Sequence, residues 1–284
     1  MRPIIIPNIP QNISHKIYPQ YDACRVATLS SNFNEAANSN VVWNRFLPSD
    51  YREMILRSSN IDDVHMLDTL SKKELFMYLA DNSLLIDEGL MSFSLEKSTG
   101  KKCYTLAARK LDITWGDTPT YWQWLAHLEP QSRFAEVARL EYVWWLEINA
   151  RITTSMLSPN TRYGAYLVFD VTSNVWEFYD LPIDVAVETS GGEEVVTGRV
   201  YLDPRRAGIF DREYDLVASF DDEGPEENVK LPNKRKDGWL EVEIGEFFTR
   251  EEDERVTFSL MEVKAGIAKG GLVVEGIEIR PIIE

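Results

Sequence analysis

The sequence predicts an α+β fold of the segregated kind, with a small all-α N-terminal module followed by an antiparallel, jelly-roll-like β-sandwich. Two observations carry this. Helix start signals gather in the first third of the chain. From Lys101 onward, apolar residues alternate in short runs separated by Gly, Pro and Asn turns, without the regular helices that a βαβ sheet would need between strands.

Composition narrows the function classes. A chain of 284 residues with 44% apolar content holds one large domain or two smaller ones with a real core. The net charge of -16 repels phosphate backbones, so nucleic acid is not an expected partner, and Lys234, Arg235 and Lys236 read as a solvated turn beside acidic sequence. Cys24 and Cys103 are far apart, which argues against a structural disulfide and fits a reducing compartment, cytoplasmic or nuclear. No apolar run approaches the roughly 18 residues of a membrane span. No membrane partner is expected.

Along the chain, Pro3, Pro7, Pro10 and Pro19 punctuate residues 1 to 21, and Asp22 is a credible N-cap for a helix through Leu29, continuing over Phe33 to Phe46. Asn60 to Asp87 reads as helical, with Ser71 and Glu74 forming an S-x-x-E capping box. A hairpin turning at Gly100 follows. The expected divisions are residues 1–58 for the helical module, 59–100 for a helical linker and hairpin, and 101–284 for the sandwich. His15, His65 and His127 are scattered with no partner at ligand spacing, so no metal site or cofactor is expected.

The stretch Leu111 to Trp124, LDITWGDTPTYWQW, packs three tryptophans and a tyrosine into turn-forming sequence. Gly116, Asp117 and Pro119 end a short strand at Trp115, and Trp122 and Trp124 follow the turn. Rigid rings on a loop suit stacking against a ligand, although tryptophans more often fill a core, and spacing alone does not separate the two readings. A short helix is expected over Ser132 to Arg139. Beyond it, Tyr142, Trp144, Leu146, Ile148, Ala150 and Ile152 share one strand face, which predicts a buried Trp144. Further strands are expected at Tyr163 to Val171, Ile183 to Val187, Val195 to Leu202, Tyr214 to Phe220, Trp239 to Ile244, Val256 to Val263 and Leu272 to Ile279. Asp221 to Lys236 reads as a charged loop.

These residues also carry a resemblance. KKCYTLAARKLDITWGDTPTYWQW, RLEYVWWLEINARI, MLSPNTRYGAYLVFDVT, DGWLEVEIGEFF and VEGIEIRP, in that order, resemble the phloem protein 2 family of plant lectins, whose archetype is the tobacco agglutinin. The resemblance implies a β-sandwich lectin domain that binds N-acetylglucosamine oligomers or N-glycan cores without catalysis. Within it, Trp115 and Trp122 match the sugar-binding rings of an ITW-x-D-x-P-x-YW motif, and Glu262 matches one of two sugar-binding carboxylates. Arg255, beside Glu254, stands where the second is expected. DACRVATLSSNFNEAANSNVVWNRFLPSDY resembles the second half of a plant F-box, the helical module that docks on the Skp-type adaptor of a cullin ubiquitin ligase. Ile9 and Pro10 then stand for the family's opening Leu-Pro, with the first helix a few residues shorter. Cys24, Val26, Leu29 and Trp43 either contact the adaptor or pack the module.

No residues form a catalytic constellation: there is no G-x-S-x-G and no phosphate-binding glycine loop, and of the pair flanking Trp115, Asp112 alternates outward on its strand and neither it nor Asp117 reads as buried. The expected function is that of a carbohydrate-binding F-box protein, a substrate receptor with glycans or glycoproteins and the adaptor as partners. The alternative is a protein-protein interaction module whose sugar site has decayed.

Overall fold

The computed structural model describes residues 35, 37–126, 130–191, 195–209 and 226–283. Ile9, Pro10, Cys24, Val26, Leu29 and the strand expected at Tyr214 to Phe220 lie outside them. Among the described residues the first four helices are α1 (Asn40–Trp43), α2 (Tyr51–Leu56), α3 (Ile61–Thr69) and α4 (Lys72–Asp81). The capping box forms as the sequence predicts: Ser71 Oγ accepts from the Glu74 amide, and the Glu74 carboxylate takes the Ser71 amide at 2.9 Å. His65 lies exposed on α3.

The helical reading over Asn60 to Asp87 ends early. Leu84–Ile86 is strand β1, which pairs with β2 (Met91–Leu95), and that strand turns back as β3 (Lys102–Ala107). Leu84 and Ile86 are buried on one face with a half-buried Leu85 between them, so period-2 packing wins over a continued helix. The hairpin predicted at Gly100 is therefore present, and its tip is set by the Gly100 amide on the Glu96 carbonyl at 2.8 Å.

The remaining strands are β4 (Asp112–Ile113), β5 (Trp122–Leu125), β6 (Val137–Leu140), β7 (Leu146–Thr153), β8 (Thr161–Trp176), β9 (Ile183–Thr189), β10 (Val195–Val200), β11 (Val229–Lys230), β12 (Asn233–Lys234), β13 (Leu240–Thr249), β14 (Arg255–Glu262) and β15 (Gly270–Pro281). Among the described residues they build two sheets. One runs β1-β2-β3-β15-β8-β13-β12, with the β5-β6 hairpin attached to β15; the other runs β11-β10-β9-β14-β7-β4. All pairs are antiparallel except β10 with β11. The loop expected over Asp221 to Lys236 contributes β11 and β12 to the two sheets.

Val242, Ile244 and Phe247 of β13 and Ala165 and Leu167 of β8 share one core cluster with Val185, Val187, Phe258 and Leu260 of the other sheet. The rings of Phe247 and Phe258 meet across the gap at 5.7 Å. Each such buried side chain contributes on the order of 1.5–3 kcal/mol, so apolar alternation fixes the register of both sheets.

The helices belong to the same core. Trp43 is buried against Phe46 and Phe76, and its indole N–H donates to the Ala37 carbonyl at 2.6 Å. Of the two roles open to Trp43, the structure therefore places it in packing, with its ring and its donor used inside the protein. The Tyr104 hydroxyl of β3 reaches the Met54 sulfur of α2 at 3.1 Å, and Lys102 Nζ pairs with Asp50 at 2.8 Å. The boundary expected at residue 101 thus falls inside a hairpin whose two arms share one cluster with the helices and the sandwich.

The helix expected over Ser132 to Arg139 is absent because of a contact distant in the chain. Ser132 Oγ and the Arg133 amide donate to the buried Glu275 carboxylate at 2.9 and 3.3 Å, which pins a turn there. Val137–Leu140 then pairs with β15 as β6.

Candidate functional site: an aromatic ridge

Strand β4 stops where the Thr114 amide donates to the Glu147 carbonyl at 3.0 Å. A tight turn follows, with the Gly116 amide on the Ile113 carbonyl and the Thr118 amide on the Trp115 carbonyl, both at 2.9 Å. Trp115 sits in this turn at φ 59°, a left-handed conformation that a bulky L-residue adopts at a cost of about 1–3 kcal/mol and that persists only where its surroundings impose it. Trp124 does the imposing. Its indole N–H holds the Gly116 carbonyl at 2.9 Å, while the Arg109 guanidinium lies 3.6 Å over its ring and pairs with Glu136 at 2.8 Å.

The result is an outward-facing Trp115, 47% exposed. Trp122, which sequence matching places beside it, turns the other way: it is 2% exposed, opposite Leu140 in the β5-β6 hairpin and inside the core. A ring packed there has no free face for a ligand. The stacking role expected of Trp122 is corrected to a core role, because its ring packs in one cluster with Leu111, Ile113 and Leu140.

Trp144 is a second correction. The alternation that predicts its burial holds for Leu146, Ile148, Ala150 and Ile152 but breaks at a bend over residues 144–145, leaving Trp144 53% exposed and Trp145 also outside. Contacts between rings then run without interruption from Trp115 to Tyr121 at 5.4 Å, Tyr121 to Tyr142 at 5.6 Å and Tyr142 to Trp144 at 5.4 Å. Four aromatic rings form one ridge, with exposed indoles at both ends. Beside it, Glu147 accepts from the Trp145 indole at 2.9 Å and from Thr114 Oγ1 at 3.0 Å, tying the bend to the loop.

Glu262 lies behind the ridge. It follows the parity of Val256, Phe258 and Leu260 as the sequence predicts, is buried, and meets Lys269 at 2.5 Å; the amides of Lys264 and Ala265 donate to it at 2.9 and 2.8 Å. Lys269 is itself fully buried and donates to the Trp144 carbonyl at 2.9 Å. The carboxylate thus braces the Trp144 bend through Lys269, and both its oxygens meet protein donors in a buried position rather than facing a ligand. Burial alone would raise the Glu262 carboxyl; the Lys269 ammonium and the two amides outweigh it and hold it below the usual carboxylate range.

Arg255 stands at the other end of β14, opposite Thr153, whereas Glu262 lies opposite Leu146 near the ridge. Seven steps along the strand separate them, about 23 Å, too far for one small ligand site to use both. The two matched acidic positions do not converge. Asp112 and the fully exposed Asp117 face solvent, and no cluster of three or more His, Cys, Asp or Glu side chains suited to a metal occurs among the described residues. No described helix is long and apolar enough to cross a membrane.

The sequence profile of the Phloem protein 2 family matches residues 101–281. The Arabidopsis thaliana protein PP2-B12 is 41% identical over 262 residues, covering 92% of this chain and 90% of that one. F-box protein PP2-B1 of the same plant is 37% identical over 292 residues, covering 92% and 84%. F-box protein PP2-B10 is 38% identical over 263 residues, covering 92% and 87%. Each alignment extends well upstream of residue 101, into the helices.

Two measurements check this geometry. In urea denaturation, Trp122→Ala lowers the unfolding free energy by about 3–5 kcal/mol, as loss of a core tryptophan does. Trp115→Gly holds or raises it, because glycine removes the left-handed cost; a drop of the Trp122 kind would contradict the exposed turn. The second follows pH. A carboxyl held below its unfolded value stabilises the fold above that value and loses the contribution as pH falls through the folded pKa. The stability gap between the native chain and Glu262→Gln is therefore full at neutral pH and closes on acidification below the usual carboxylate range. A gap that stays constant into acid would mean that the charge on Glu262 does not brace the bend.

Proposed function

Because the chain belongs to the phloem protein 2 family of plant F-box proteins, we propose that it is a carbohydrate-binding substrate receptor, presenting glycosylated proteins to a cullin-type ubiquitin ligase. The aromatic ridge is the observation that supports the sugar half of this reading. Sugars present flat C–H faces and a rim of hydroxyls, so rigid exposed indoles gain contact area on them at little cost in conformational entropy. N-acetylglucosamine oligomers and N-glycan cores are the ligand class. Trp115 and Trp144 stack on the sugar, Tyr121 and Tyr142 support them from between, and Glu262 acts indirectly through Lys269.

The receptor half rests on the F-box names of the relatives and on the N-terminal residues Ile9, Pro10, Cys24, Val26 and Leu29, through which a Skp-type adaptor is engaged. Trp43 serves that half from inside, by packing the helices. The protein acts in the cytoplasm or nucleus, where its ligase partners work, and supplies binding while they supply catalysis.

Calorimetric titration of the full chain with chitin oligomers tests the reading. Trp115→Ala and Trp144→Ala each weaken binding about tenfold, the loss of one stacking contact, with circular dichroism unchanged. Arg255→Glu leaves the affinity as it was. If the native chain bound no oligomer or N-glycan, the ridge would be a protein-interaction surface and the lectin reading would fall.

A further inference from the structure

Beside the ridge lies a cleft that the proposed stacking does not use. It measures about 410 Å³, within the roughly 300–1,000 Å³ of small-ligand clefts, and is lined by Arg139, Glu141, Thr172, Ser173, Asn174 and Trp176. The two features share a wall. Glu141 lines the cleft, is followed in the chain by Tyr142 of the ridge, and its amide donates to the carbonyl of Tyr121, another ridge residue, at 2.8 Å. The opposite side is joined as well: Lys269, which holds the Trp144 carbonyl, leads through Gly270 into Gly271 at the cleft.

The cleft's floor is built. Trp176 pairs with Gly270 across β8 and β15, and any side chain at residue 270 would overlap the Glu141 carbonyl and come 2.8 Å from the Trp176 indole nitrogen. A glycine there lets the indole lie close over β15 while remaining 39% exposed. Charge on the walls is balanced, since Arg139 pairs with Glu141 at 2.7 Å and donates to Gln123 at 2.7 Å. Hydroxyls of Thr172 and Ser173 and the Asn174 carboxamide supply neutral donors and acceptors. An exposed indole, a neutral ion pair and a polar rim together suit a neutral, hydroxyl- and amide-bearing ring and disfavour a phosphate or another anion.

We propose that this cleft is a second sugar subsite, in which Trp176 stacks on a further ring of an oligosaccharide whose first rings lie on the Trp115 to Trp144 ridge. The inference rests on the sugar-binding reading of the ridge and adds to it a dependence on ligand length. A disaccharide engages the ridge alone, and longer chains reach Trp176.

Titration of the full chain with chitin oligomers of two, three, four and five units reads this directly. In the native protein affinity rises with length beyond two units. Trp176→Ala removes that rise, weakening the longer ligands about tenfold while leaving the disaccharide unchanged. Asn174→Ala, at an exposed position in the irregularly paired end of β8, weakens the longer ligands by a smaller factor and also spares the disaccharide. Trp115→Ala, by contrast, weakens every length. If the native chain binds all lengths equally, or if Trp176→Ala and Asn174→Ala keep the full rise with length, the second subsite is overturned and the ridge reading stands. If no oligomer binds at all, both fall together.

Discussion

The buried ammonium of Lys269 is the point on which the functional end of this molecule turns. It meets Glu262 at the end of β14, holds the Trp144 carbonyl just before β7, and stands at the head of β15. Those strands belong to different sheets, so a single charged group fastens both layers where the aromatic ridge emerges. Burying a lysine is costly unless its charge is matched, and removing one partner of such a pair costs about 3–5 kcal/mol because the other charge is left stranded. The bend that exposes Trp144 is thus maintained by an ion pair in the interior, together with the Trp145 indole's hold on Glu147 at the surface.

Around that point the chain separates support from contact. Trp122 and Trp124 lie in the same short strand as neighbours of Trp115, yet one fills the core and the other clamps the loop through the Gly116 carbonyl and the Arg109 stack. Their work lets Trp115 occupy a backbone conformation it would otherwise avoid. In the same way Glu262, a residue type suited to receiving sugar hydroxyls, is used to hold a lysine.

Much of the sandwich was legible in the sequence. Strands β7 to β9 and β13 to β15 were readable because their side chains alternate against a buried face, a signal that belongs to each strand by itself. The capping box was legible for the same reason, as its two partners are three residues apart. What was missed depends on contacts distant in the chain. The turn at Ser132 is set by Glu275, β6 exists because β15 is there to pair with it, and the bend at Trp144 is fixed by Lys269. Within the candidate site, the sequence marked Trp115 and the parity of Glu262 but put Trp122 outside and Trp144 inside. The Trp144-Trp145 doublet was the one available hint, since neighbouring strand residues cannot both be buried in the same face. The cleft at Trp176 had no local signal, because its walls come from β6, β8 and β15.

The hairpin of β2 and β3 crosses the point where the helical and lectin parts were expected to divide. Two folded parts joined by a tether sample many mutual orientations, and whatever one of them grips is held only loosely with respect to the other. Here Trp43, Met54 and Phe76 from the helices share a core with Tyr104 and Ile279 of the sheet, so no swivel exists between them. The described helices and the ridge behave as one lever. Whatever the ridge grips is therefore held at a bearing toward the helices that the fold itself dictates.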